Sequence, residues 1–144
     1  EYPQRRKERV GGWPTFEQVR FMTWLAVARG AAGVFYFKYS DNKGVPLPQR
    51  PELWSRYTRV AAELNAMSKV LVKGKDIPLP EGLDGRLTGR GLKRWWRKYA
   101  IVLNPTAGAV PLNAEALEGW RPLFETRRDL PESLPPYGVL ILEK

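Results

Sequence analysis

The run Lys93-Arg94-Trp95-Trp96-Arg97-Lys98 is the densest chemistry-bearing stretch of this sequence. Rings interleaved with cations can stack on nucleobases while the cations neutralise phosphates, and the same rings can stack on sugars. Read as the end of a strand over Leu92–Trp96, the run sends its two indoles to opposite faces, one into a core and one to solvent or an interface. Arg86 and Arg90 extend this basic cluster, and Arg5-Arg6-Lys7 with Arg9 forms another. Neither lies on a recognisable nucleic-acid module, so a solvated basic surface is the competing explanation. The carboxylates show no obvious pair. Glu17 and Glu52 stand at helix starts, where a negative charge complements the helix dipole. Asp41 sits in Ser-Asp-Asn-Lys-Gly, which also reads as an ordinary turn. The chain has no His and no Cys. Disulfides, zinc sites, imidazole bases and Cys or Ser-His nucleophile systems are thereby excluded, and neither a cofactor nor a metal site is expected.

These residues must be positioned by 144 residues, one domain's worth of chain or two small pieces. The composition, 43% hydrophobic with six Trp, is that of a folded protein with a real core. The net charge of +9, from 24 Lys and Arg against 15 Asp and Glu, raises the expectation of an anionic partner. No apolar run approaches the ~20 residues of a membrane span, so no membrane partner is expected.

The clearest organising stretch is Trp13–Tyr39. Thr15 followed by Gln18 has the form of a capping box and predicts a helix over Phe16–Arg29. Between Phe21 and Ala28 only Thr23 is polar, which predicts a helix covered on most sides. Gly30 is the expected C-terminal stop. Val34-Phe35-Tyr36-Phe37 is a continuous apolar run, the pattern of a strand buried on both faces. Ser40–Pro51 is a long Pro-rich loop. A second helix over Glu52–Val72 follows, with Leu53, Tyr57, Val60, Ala61, Leu64, Met67 and Leu71 forming one apolar stripe, and Arg56, Arg59, Glu63 and Lys69 on other faces. Lys73–Pro80 reads as a linker. Beyond it the pattern turns strand-like: Leu83–Thr88, Leu92–Trp96, Lys98–Leu103, Ala109–Leu112, Trp120–Thr126 and Val139–Glu143 predict an antiparallel sheet or small sandwich, with a turn at Asn104–Gly108. A lone two-sided strand needs neighbours for its backbone groups, so the first half reads as an incomplete core.

Pro14-Thr15-Phe16-Glu17-Gln18-Val19-Arg20, Ala28-Arg29-Gly30-Ala31-Ala32-Gly33 and Val34-Phe35-Tyr36-Phe37 together resemble the last part of the (β/α)8 barrel of many bacterial glycoside hydrolases. The helix from Pro51, with Leu53, Trp54 and Leu64-Asn65, is similar to the final barrel helix. Val102-Leu103-Asn104-Pro105, Pro122-Leu123-Phe124-Glu125 and the closing Leu134–Val139 resemble the small β-sandwich that often follows such barrels. The resemblance implies an α/β barrel fragment over residues 1–74 and an antiparallel β-sandwich accessory domain over residues 75–144.

It also places substrate at the carboxyl ends of barrel strands, here Tyr36, Lys38, Tyr39 and Asp41. The two tyrosines would stack on or hydrogen-bond to a sugar, or else pack the barrel mouth. Trp13 is read as packing. The carboxylate pair of such enzymes, about 5–9.5 Å apart, would come from earlier strands, so no catalytic residue is named. The expectation is the C-terminal portion of a glycoside hydrolase-like protein, not active alone. It would contribute barrel closure, part of a carbohydrate cleft and an accessory domain. The expected partners are carbohydrate and either a second chain or an N-terminal region that completes the barrel. The alternatives are a basic nucleic-acid-binding module using Trp95 and Trp96, and a non-catalytic carbohydrate-binding or assembly subunit.

Overall fold

The structure is a computed structural model and describes residues 13–37, 39–40, 44–125 and 129–144. Two helices are followed by an antiparallel sheet, giving a mixed α/β fold. Helix α1 spans Phe16–Ala28 and α2 spans Pro51–Lys73. The strands are β1 (Lys75–Ile77), β2 (Thr88–Arg94), β3 (Arg97–Leu103), β4 (Val110–Pro111), β5 (Arg121–Pro122), β6 (Ser133–Leu134) and β7 (Val139–Glu143). Five of them form one sheet in the order β1-β2-β3-β7-β5, and β4 pairs with β6 in a small second sheet. Every pairing is antiparallel.

The capping box starts α1 as its sequence predicts: Gln18 donates its backbone N–H to the Thr15 hydroxyl (3.3 Å), and the Thr15 N–H reaches the Gln18 side-chain oxygen (2.9 Å). Gly30 follows the last turn with φ +90°, a conformation open to glycine. Pro51 opens α2, where its missing N–H leaves no bond unmade. Coverage of α1 is one-sided rather than nearly complete. Val19, Arg20, Thr23, Trp24 and Val27 are buried, while Met22 is exposed. On α2 the buried stripe is Leu53, Val60, Glu63, Met67 and Val70. Ala61 of the expected stripe is exposed, and Glu63, expected on another face, is inside.

Both faces of the large sheet are covered. Leu92, Tyr99, Ile101, Leu103, Val139 and Ile141 pack with Trp24, Val27, Met67 and Val70 of the helices. Ala100, Val102, Leu140 and Leu142 face the other way, onto Leu117 and Leu134. The helices and the sheet therefore share a core across the point near residue 75 where the pattern changes. Gly89 and Gly91 lie inside β2, where a side chain would run into the Ile101 carbonyl or those of Ile77 and Pro78. Asn104 ends β3 fully buried. Its amide donates to the carbonyls of Gly108 (2.7 Å), Leu134 (2.9 Å) and Pro135 (2.9 Å), and its side-chain oxygen accepts from the Thr106 N–H (2.9 Å).

Three expected strands differ. Val34–Phe37 joins no ladder among the described residues and bends at Phe37, and Phe35 and Phe37 are 99% and 98% exposed. A strand buried on both faces is not what this run forms here. Leu83–Thr88 is mostly turn: Asp84 accepts from the Arg86 N–H and guanidinium, which bends the chain before β2. Trp95 and Trp96 are the two turn residues between β2 and β3, not strand residues on opposite faces.

Candidate functional site

The residues expected to meet substrate follow α1. Val34 is half-buried and packs against the helix–sheet core. Tyr36 turns the same way: its ring meets Tyr57 of α2 edge-on, with centroids 5.0 Å apart, and its hydroxyl lies 2.6 Å from the Thr23 hydroxyl. Thr23 spends its own hydrogen on the Val19 carbonyl (2.7 Å), so Tyr36 is the donor in the pair. Burial pushes the Tyr57 hydroxyl above its ordinary pKa, with neighbouring Tyr36 acting in the same direction and Arg56 opposing. Tyr36 is thus held mainly by packing and a local hydrogen bond. Tyr39 differs. Its ring is 62% exposed, while its carbonyl accepts from the Leu47 N–H (2.8 Å) and a bridge between Ser40 and Pro46 closes the loop. Lys38 and Asp41 lie outside the described residues, as does the cluster from Arg5 to Arg9. Trp13 is half-buried, and its carbonyl and that of Pro14 receive the Arg56 guanidinium.

A polar cluster that no sequence motif announced joins the two helices to the sheet. Arg20 on α1 donates from Nε to Glu63 (2.9 Å), and from Nη1 to Glu125 (2.9 Å) and the Val139 carbonyl (3.1 Å). The same Glu63 oxygen accepts from the Trp24 indole (2.8 Å). Arg20 and Glu63 are both nearly buried, and among the described residues Nη2 of Arg20 has no hydrogen-bond partner. The network joins α1, α2 and the start of β7. A groove of about 610 Å³ opens over it, lined by Arg20, Arg59, Glu17, Glu125, Asp129 and Tyr137 among others. Glu17 is held below the ordinary carboxylate pKa by backbone hydrogen bonding at the helix start, then by the Thr15 side chain. The signal for Glu63 was its spacing: it completes the series Val60, Glu63, Met67, Val70, and the buried Trp24 needs an acceptor.

The basic aromatic run forms the turn joining β2 to β3. Trp95 and Trp96 are 72% and 78% exposed and stack on one another, with centroids 5.7 Å apart and planes 24° apart. The Arg94 guanidinium lies 4.5 Å over the Trp95 ring. Among the described residues no group of three or more acidic side chains is placed to hold a metal ion, and no helix is long and apolar enough to cross a membrane. The chain matches no known family model and no curated protein.

Proposed function

We propose that this chain is the C-terminal portion of a glycoside hydrolase-like protein. In this reading residues 1–74 close a (β/α)8-like barrel and residues 75–144 form its accessory β-domain. Tyr39, with Tyr36, Lys38 and Asp41, borders a carbohydrate cleft, and the catalytic carboxylates lie elsewhere. The observation that supports it most is the alternation along residues 34–37. Val34 and Tyr36 turn toward the helices, while Phe35 and Phe37 point away into solvent. Helices on one face and bare aromatics on the other is the state of a parallel barrel strand deprived of its neighbours, since in a barrel the second face fills the packed interior.

The test compares contexts. The gene upstream of the Glu1 codon is expected to encode further βα units carrying two carboxylates at strand ends; a stop codon there overturns the reading. In the longer product Phe35→Ser removes a buried ring and is expected to destabilise by about 3–5 kcal/mol, with loss of glycoside hydrolysis. In the 144-residue chain the same change is expected to shift stability by less than about 0.5 kcal/mol.

A further inference from the structure

The turn at Trp95 and Trp96 stands ahead of a row of lysines. Lys75 lies opposite Lys93 and Lys93 opposite Lys98. Lys98 exchanges both backbone hydrogen bonds with Lys144, at 2.7 and 2.9 Å. Residues directly opposite in an antiparallel ladder project from the same face. Four neighbouring strand ends therefore carry four lysines in line, on the face turned away from the helices. With strands about 4.8 Å apart the row spans about 14 Å. Among the described residues no carboxylate is within ion-pair distance of any of the four, although the Lys144 ammonium donates to the Glu118 carbonyl (2.6 Å), which leaves Lys75, Lys93 and Lys98 as the open cations of the row. At the next register position Arg94 stands opposite Arg97, which alone of this group has an acidic partner, Glu143 at 3.1 Å. Like charges set directly opposite weaken a sheet. Trp95 adds a second cost. Its φ of +56° is the left-handed conformation that a hairpin turn normally gives to glycine.

We propose that this hairpin docks the protein on an anionic phospholipid bilayer, with the indoles entering the interface and the lysines meeting lipid phosphates. The inference is independent of the hydrolase reading. Three features select a planar surface over a linear polyanion. The paired indoles protrude, where a polymer would need a groove along its length. The flanking cations share one level, since Lys93 and Lys98 each lie two residues behind the indole pair. At about 3.4 Å per residue that level is about 7 Å behind the tip, which matches the ~5–10 Å by which apolar side chains sink below the headgroups. Tryptophan favours that boundary, and lysine the charged layer outside it. The lack of a spanning helix bears on crossing a bilayer, not on resting against one.

The test is co-sedimentation of the 144-residue chain with vesicles of phosphatidylcholine alone and of phosphatidylcholine with phosphatidylserine, at low and high salt. Binding is expected only to the phosphatidylserine vesicles and is expected to fall as salt rises. The double variant Trp95→Gly, Trp96→Asn supplies residues suited to the turn, so it is expected to keep its circular dichroism and melting temperature. Its vesicle affinity is expected to drop about a hundredfold. Lys93→Gln is expected to weaken binding about fivefold. Vesicle binding unchanged in the double variant overturns the proposal. So does absence of phosphatidylserine-dependent binding, or tighter binding to a single-stranded oligonucleotide than to vesicles at the same salt.

Discussion

Val139-Leu140-Ile141-Leu142 and Val34-Phe35-Tyr36-Phe37 are both uninterrupted apolar runs, and the molecule places them oppositely. The first lies between β3 and β5, with Val139 and Ile141 against the helices and Leu140 and Leu142 against the second core. The second has helices on one face and water on the other. A continuous apolar run states a demand for two covered faces. Whether the demand is met depends on strands elsewhere in the sequence, and only the 139–142 run finds them among the described residues.

The comparison breaks most forcefully at the joint that ties the buried run to the helices. Arg20 reaches the Val139 carbonyl while paired to Glu63. Glu63→Ala leaves the Arg20 guanidinium with only the more exposed Glu125 as its ionic partner and the Trp24 indole without its acceptor, and is expected to cost about 3 kcal/mol in urea unfolding. A loss below about 1 kcal/mol would mean that the pair is wetter than its burial implies. Next, Ile141→Ala opens a cavity in a fully buried site and is expected to cost about 2–5 kcal/mol, against less than about 0.5 kcal/mol for Phe35→Ala in the same chain. Equal costs would erase the contrast between the runs.

Tyr36→Phe tests the side-chain hydrogen bond that ties the exposed run to α1. It removes a hydrogen bond to Thr23 without exposing a new group, and should lower stability by about 1 kcal/mol. The smallest effect is on pH. Asp84 closes the turn between Leu83 and Leu87, which pack beneath the outer face of the buried run. The side-chain hydrogen bond from Arg86, followed by its backbone N–H, pulls Asp84 to about 2. A carboxylate depressed in the folded state stabilises above its ordinary range, and that contribution is lost as pH falls through about 4 toward 2. Asp84→Asn should therefore lower the melting temperature slightly at neutral pH and flatten its acid limb, the two proteins converging as pH approaches 2.

Much of the fold is legible in residue order because local chemistry decides it. The Thr15–Gln18 box, Pro51 and the apolar spacing place both helices, and Lys98–Leu103 and Val139–Glu143 announce the central strands. What resisted reading depends on distant partners. Lys75–Ile77 has the composition of a linker and becomes a strand only because β2 offers an edge. Gly89 and Gly91 look like breaks, yet neighbouring carbonyls occupy the space their side chains would need. Trp95 gave no turn signal, since a bulky residue at positive φ runs against the usual turn chemistry. Of the residues expected at the candidate site, Tyr36 and Tyr39 are near α2 and the following loop, and Lys38 and Asp41 are outside the described residues. The Arg20–Glu63 pair was illegible as a pair because its members are far apart in the chain and sit on separate helices.

Asn104 carries a last consequence, for ageing rather than folding. Its amide holds together the ends of three segments, so its conversion to aspartate would set a charge among carbonyls and loosen them all. Deamidation of asparagine ordinarily begins when the next residue's backbone nitrogen attacks the side-chain carbonyl. That residue is Pro105, whose nitrogen carries no hydrogen and is closed into a ring. The buried joint at the end of β3 is thereby shielded from the commonest slow chemical lesion of stored protein.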